Sequence, residues 1–184
     1  TNSYPGKIPV FLWTKAIEHG TEMTPKGDRL TGVEKLDSNI RMIFNLAGNT
    51  LINQHSDVND TIRILKDDTK CQFIIGSDTL TTSSARYADI LLPATSVFEG
   101  NNIVAPWLGT NFILRNNKAI EPLFECRFEW EWLKDVAERL GLYDAFIDGK
   151  PDAEQWLKEC YEILRTREPE LPDYETFCEL GAWQ

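Results

Sequence analysis

Cys71-Gln-Phe-Ile-Ile-Gly-Ser-Asp78, continued by Thr79-Leu-Thr-Thr-Ser-Ser-Ala-Arg-Tyr-Ala-Asp-Ile-Leu-Leu-Pro93, decides the fold class of this chain. Phe73, Ile74 and Ile75 form a short apolar run of the kind a parallel sheet buries on both faces. Gly76, Ser77 and Asp78 then bring backbone and small polar groups to the carboxyl end of that strand. In open α/β sheets this end is the usual binding crevice. A short helix is predicted over 82–88, and Ile90-Leu-Leu92, closed by Pro93, reads as the next strand.

Upstream, Ile40-Arg-Met-Ile-Phe-Asn-Leu46 reads as another strand, and Gly48-Asn-Thr50 turns the chain. An amphipathic helix follows, with Val58, Ile62 and Leu65 on one face and Ser56 or Asp57 as its cap. Strand, helix, strand, helix, strand at this spacing predicts a parallel-sheet, Rossmann-like α/β unit. Before it, Pro9 to Gly20 fits a short helix stopped by Gly20, and 21–38, with Pro25, Gly27 and Gly32 among charges, reads as connection or lid rather than core.

Beyond Glu99 the alternation breaks, with one strand expected at Asn111-Phe-Ile-Leu114 and a turn at Asn116-Asn117. Phe128, Trp132, Val136 and Leu140 repeat every four residues, and Gly141 stops that helix. A last helix begins at Asp152, where Asp152 and Gln155 resemble a capping box; it is expected to bury Trp156, Leu157, Cys160, Tyr161 and Leu164 and to end before Pro169. The expectation is one α/β domain over 1–184, with a helical and loop entry at 1–39, an α/β core at 40–141 and a helical extension at 142–184.

The chain is 42% hydrophobic, enough for a good core, and its net charge is -10. Nucleic acid needs clustered Lys and Arg, whereas the 19 here are scattered. No run approaches the ~18 apolar residues of a membrane span, so direct membrane insertion is not expected, and no signal peptide is visible. A start at Thr1 without Met suggests a piece of a longer protein. Cys71, Cys126, Cys160 and Cys178 stand far apart without a C-x-x-C pair, which disfavours a metal knuckle and reads as buried thiols.

Adjacent parallel strands would place the loops 47–50 and 77–82 side by side as one pocket. Asp78 can accept the N–H pair of a guanine edge or a ribose hydroxyl, and Thr82 can reach polar groups. The alternative is turn chemistry, with Asn49 in a left-handed turn and Thr82 capping the short helix. Asp89 and Glu99 read as structural acids bonded to exposed amides. Trp130, Trp132 and Trp156 read as core or interface anchors.

Gly48-Asn49, Asn53-Gln54-His55, Ser77-Asp78 and Thr82-Ser-Ser-Ala-Arg-Tyr-Ala-Asp-Ile-Leu-Leu-Pro93, with Phe124-Glu-Cys-Arg127 further on, resemble the molybdopterin oxidoreductase superfamily. Within it the chain is most similar to catalytic A subunits of bacterial dimethyl sulfoxide reductases, over nearly its whole length. In that family two α/β domains each hold one molybdopterin guanine dinucleotide, and this segment corresponds to the second. The resemblance implies that Asn49 and Asp78 contact the guanosine end, with Ser77 and Thr82 close by, and that Gly48 is a cofactor-binding residue. It places Gln54 and His55 nearer the pterin, and Glu129 where some relatives have an acidic contact.

The family's serine ligand to molybdenum, its iron-sulfur cysteines and its carboxy-terminal domain have no counterpart here, so the segment alone is expected to be inactive. The implied enzyme reduces S-oxides or N-oxides in anaerobic respiration. Its molybdenum and 4Fe-4S centre are not ligated by this segment, and its partners are the remaining domains of the subunit, an iron-sulfur subunit and a membrane anchor. By the same resemblance it is exported, folded, to the outer face of the cytoplasmic membrane. A cofactor-free scaffold domain, or the same superfamily acting on nitrate, selenate or formate, is the alternative.

Overall fold

The computed structural model describes residues 4–106 and 111–184, and the chain divides into two compact units, Thr1–Pro93 and Ala94–Gln184. The boundary falls inside the 40–141 stretch expected to be one core. It lies at the end of the last strand of the parallel sheet, Ile90–Pro93.

In the first unit, β1 (Met42–Leu46), β2 (Phe73–Asp78) and β3 (Ile90–Pro93) form a parallel sheet in that order. The register pairs Leu46 with Ser77 and Asp78 with Pro93, so the carboxyl ends of neighbouring strands are level. Helices α1 (Trp13–His19), α2 (Pro25–Asp28), α3 (Thr50–Asn53) and α4 (Val58–Leu65) accompany it. Ile17, Leu51, Ile64, Leu65, Cys71 and Ile74 make one core, with Ile43 against it. Side chains alternate across a strand, so these cover one face of the sheet. Met42 and Phe44, on the other face, stay exposed, and Phe73 and Ile75 are only half-buried. Of the apolar run Phe73-Ile-Ile75 only Ile74 is therefore buried, while Gly76 and Ser77, on opposite faces further along β2, are buried as well.

Asp57 rather than Ser56 caps α4, its carboxylate accepting the Asp60 N–H at 3.1 Å. The buried face of α4 is Thr61, Ile64 and Leu65, not Val58, Ile62 and Leu65. The 21–38 stretch is also more than a connection. Met23, Leu30 and Leu36 join Ala16 in a second buried cluster, and Thr24 caps α2 through the Gly27 N–H. These apolar residues follow no helical or strand period, which is why the sequence reads as loop there. Lys15 pairs with the buried Asp28 across this cluster.

In the second unit, β4 (Asn102–Val104), β5 (Ile113–Asn116) and β6 (Ala182–Trp183) form an antiparallel sheet in that order. Helices α5 (Glu129–Arg139), α6 (Tyr143–Ile147), α7 (Ala153–Arg165) and α8 (Tyr174–Leu180) complete it. The core is Ile113, Tyr161, Leu171, Tyr174 and Phe177, with the Tyr161 and Phe177 rings stacked at 4.7 Å. Asp152 caps α7 by accepting the Gln155 N–H. The four-residue repeat of α5 misplaces its core: Trp132 and Ala137 are buried, whereas Val136 and Leu140 are exposed. On α7 only Tyr161 is fully buried, and Cys160 is exposed; among the four cysteines Cys71 alone is buried. Burial pushes the Cys71 thiol pKa up.

Candidate functional site

The site is built where β1 and β2 end. The Asn45 side chain donates to the Gly48 carbonyl at 2.7 Å and closes the turn after β1. The left-handed residue of that turn is Ala47, at φ 50°, and not Asn49, whose φ is -95°. Ala47 then donates its N–H to the Ser77 carbonyl at 2.8 Å, extending the strand pairing past Leu46. Asn45 is nearly buried and was not legible as a site residue, because its role depends on a bond to a carbonyl three residues away.

Asn49 occupies the position just before α3, yet its side chain makes no bond to its own helix. Its Oδ1 instead accepts from Ser83 Oγ at 2.8 Å, from the Ser84 N–H at 2.9 Å and from Ser84 Oγ at 2.8 Å. The loop after β1 and the loop after β2 are thus one bonded unit, as neighbouring parallel strands dictate. Ser84, almost fully buried, is the hub, since its Oγ also accepts the Ile52 N–H at 3.0 Å. Neither serine stood out in the sequence among the many hydroxyls of 79–84.

Asp78 closes β2 rather than following it. One of its oxygens accepts the Thr79 N–H at 2.7 Å, which leaves the other Oδ without a hydrogen bond among the described residues. Gly48 presents backbone only, and Gln54 ends α3 with an exposed side chain. Three expected site residues are turned inward or engaged. Ser77 is fully buried in the sheet, Thr82 Oγ1 accepts the Ala85 N–H at 3.1 Å, and His55 bridges Thr14 at 3.2 Å and Thr61 at 2.8 Å. The His55 ring also meets Trp13 edge-on at 5.6 Å, so this histidine ties α1 to α4.

The two acids read as structural behave that way. Asp89 Oδ2 accepts the Ile74 N–H at 2.7 Å at the opposite end of the sheet. Glu99 belongs to the second unit and holds the Ser96 and Leu123 amides, each at 2.6 Å. Beside the site a recess of about 300 Å³ runs along β1, with Trp13, Phe44 and Leu51 in its wall and Asn45 and Thr50 as its polar members. Neither Asn49 nor Asp78 lines it. What the loops offer chemically is amide, carboxylate and hydroxyl groups at level strand ends, a set suited to the mixed donor and acceptor edge of a nucleotide.

The family model described as molybdopterin oxidoreductase matches residues 11–139, which include every one of these groups. The chain belongs to the molybdopterin oxidoreductase family. Among curated proteins it is 42% identical, over its full length, to dimethyl sulfoxide reductase DmsA of Haemophilus influenzae and to the protein of that name in Escherichia coli. It is 36% identical over 75% of its length to the dimethyl sulfoxide/trimethylamine N-oxide reductase of Rhodobacter capsulatus. The chain spans 23% of the length of either DmsA.

Among solved structures, acetylene hydratase from Pelobacter acetylenicus superposes with a TM-score of 0.60 over 94% of the chain and 20% of its own, at 18% identity. That likeness shows the fold, an α/β arrangement with a parallel three-stranded sheet and further helices. A hydratase and reductases share it, so the fold by itself does not fix the reaction. Among the described residues no helix is long and apolar enough to cross a membrane.

Proposed function

We propose that this chain holds the guanosine end of one molybdopterin guanine dinucleotide within a molybdenum enzyme that reduces S-oxides or N-oxides. The observation that carries the reading is the loop pair at the ends of β1 and β2, where Asn49 and Asp78 each keep one polar atom uncommitted. These two side chains, with the Gly48 backbone and the exposed Gln54, would hold the nucleotide; Ser77, Thr82 and His55 would fix the walls from inside. The bound cofactor supplies the two-electron, oxygen-removing chemistry, and the segment supplies binding and orientation.

The activity, the remaining domains of the subunit, an iron-sulfur subunit, a membrane anchor, anaerobic respiration and a place on the outer face of the cytoplasmic membrane belong to the same proposal. The activity rests on the reductase names of the relatives, and the rest on the family resemblance. A second reading, a scaffold domain without cofactor, draws on the inward engagement of Ser77, Thr82 and His55. Asp78→Ala and Asp89→Ala in the intact enzyme separate the two. A charge-assisted bond from Asp78 contributes about 1.5–3 kcal/mol to holding guanine. Asp78→Ala is expected to lower the guanosine released by acid per folded polypeptide, whereas Asp89→Ala lowers melting temperature and leaves guanosine content alone. Wild-type content in Asp78→Ala would remove Asp78 from the site; no guanosine in the unsubstituted protein would favour the scaffold.

A further inference from the structure

The position before a helix is where an asparagine ordinarily bonds the amide two or three residues on. Asn49 does not do this. The third amide of α3, that of Ile52, is taken by Ser84 Oγ from the other loop at 3.0 Å. Ser84 in turn gives its hydroxyl proton to Asn49 Oδ1, and the Ser84 backbone N–H points at the same oxygen. A backbone N–H only donates, so the atom it meets is the carbonyl oxygen of the Asn49 amide, which fixes how that amide is turned. With Ser83 Oγ as a further donor, Oδ1 is saturated. Nδ2 makes no hydrogen bond among the described residues.

We infer that Ser84 is a positioning residue that holds Asn49 by its oxygen and so makes the site select a ligand carrying a hydrogen-bond acceptor, a carbonyl, hydroxyl or phosphoryl oxygen, at Nδ2. The inference rests on the proposed cofactor reading and adds its polarity: Asn49 reads an acceptor and Asp78 a donor. Ser84 reaches no ligand itself. It acts by taking over the cap of α3, which releases Asn49 from that duty, and by anchoring the released side chain.

Asn49→Asp tests this, because a carboxylate oxygen accepts all three donors while the N–H₂ group is replaced by oxygen. The measurement is guanosine retained by the intact enzyme after dialysis, normalised to folded protein, beside the melting temperature. Asn49→Asp is expected to keep the melting temperature and to retain about three- to tenfold less guanosine at this site. The loss should persist in high salt, where repulsion between the new carboxylate and phosphate is screened. Asn49→Ala is expected to lose both stability and guanosine.

Wild-type retention in Asn49→Asp, with loss in Asn49→Ala, would overturn the donor role and leave the binding reading standing. So would recovery of Asn49→Asp in high salt. Full retention in both variants would instead take Asn49 out of the site and count against the reading itself. Ser84→Ala is expected to reduce retention within its folded fraction, and Ser84→Thr, which keeps the hydroxyl, to restore it. Unchanged retention in folded Ser84→Ala would overturn the positioning role.

Discussion

The two units both carry polar side-chain networks and differ in whether the side chains in them are used up. In the second unit Arg115, with a side chain only 4% exposed, donates through Nη2 to both oxygens of Glu154 at 2.8 and 2.9 Å and through Nη1 to the Tyr174 hydroxyl at 2.9 Å. Tyr174 donates onward to Glu154, and Asn101 adds a further donor to the same carboxylate. Every charge there has a partner within the network. In the first unit the Asn49 and Asp78 side chains each have one engaged polar atom and one left over. The difference teaches that a dense polar cluster is not by itself a site. A closed network specifies a fold, whereas an incomplete one at a strand end leaves free the groups that the proposed ligand would need.

The largest expected effect comes from opening the closed network. Burial works against the Glu154 charge, but Arg115 and the Tyr174 hydroxyl outweigh it and hold the carboxyl below its ordinary pKa. Burial foremost, and then the bond to the Glu154 carboxylate, push the Tyr174 hydroxyl well above its ordinary value against the opposing charge of Arg115. Glu154→Gln strands the buried guanidinium with a neutral partner. Because the Glu154 side chain is 43% exposed, the cost is discounted for water to about 1–2 kcal/mol. Urea denaturation should show the lower midpoint, while guanosine retention in the intact enzyme stays at the wild-type value. A fall in retention with unchanged stability would mean that this network, too, serves a ligand.

These two kinds of network were not equally legible. The strands of the first unit announce themselves through Phe73-Ile-Ile75 and Ile90-Leu-Leu92, each bounded by turn residues, and the level strand ends follow from parallel order. The strands Asn102–Val104 and Ala182–Trp183 are three and two residues long and exist only through pairing with β5, so no local pattern marks them. Likewise Asp78 could be singled out by residue type and place, and Asn49 by the family resemblance. Ser84 could not, because its bonds to Asn49 and Ile52 span 35 and 32 residues. The left-handed Ala47 is hidden for another reason, since its conformation follows from the Asn45 bond to Gly48 and not from its own preference.

Thr82 sharpens the comparison from beside the site, because it lies in the same loop as Ser83 and Ser84 yet already caps the short turn at Ala85–Tyr87. Thr82→Ala is expected to lower stability by about 0.5–1 kcal/mol, and Thr82→Ser to restore it. Both should retain guanosine as the unsubstituted enzyme does, measured on folded protein. Loss of guanosine in Thr82→Ala alone would move Thr82 from the wall of the site to its contacts.

The smallest expected change is one of slope. Glu99 is nearly buried, and the amides of Ser96 and Leu123 that it accepts hold its carboxyl below the usual carboxylate range. A group whose pKa is lower folded than unfolded adds stability above its unfolded pKa and loses it as pH falls through the folded pKa. The Glu99 contribution is therefore whole at neutral pH and disappears in acid, once the carboxyl protonates even when folded. Glu99→Gln keeps a carbonyl to accept one amide but turns an N–H₂ toward the other, and its own contribution does not titrate. Melting curves from neutral to acidic pH should show the wild type and Glu99→Gln separated at neutral pH and converging as the solution becomes acidic. Parallel curves across that range would show that Glu99 holds the Ser96 and Leu123 backbone by shape and not by charge.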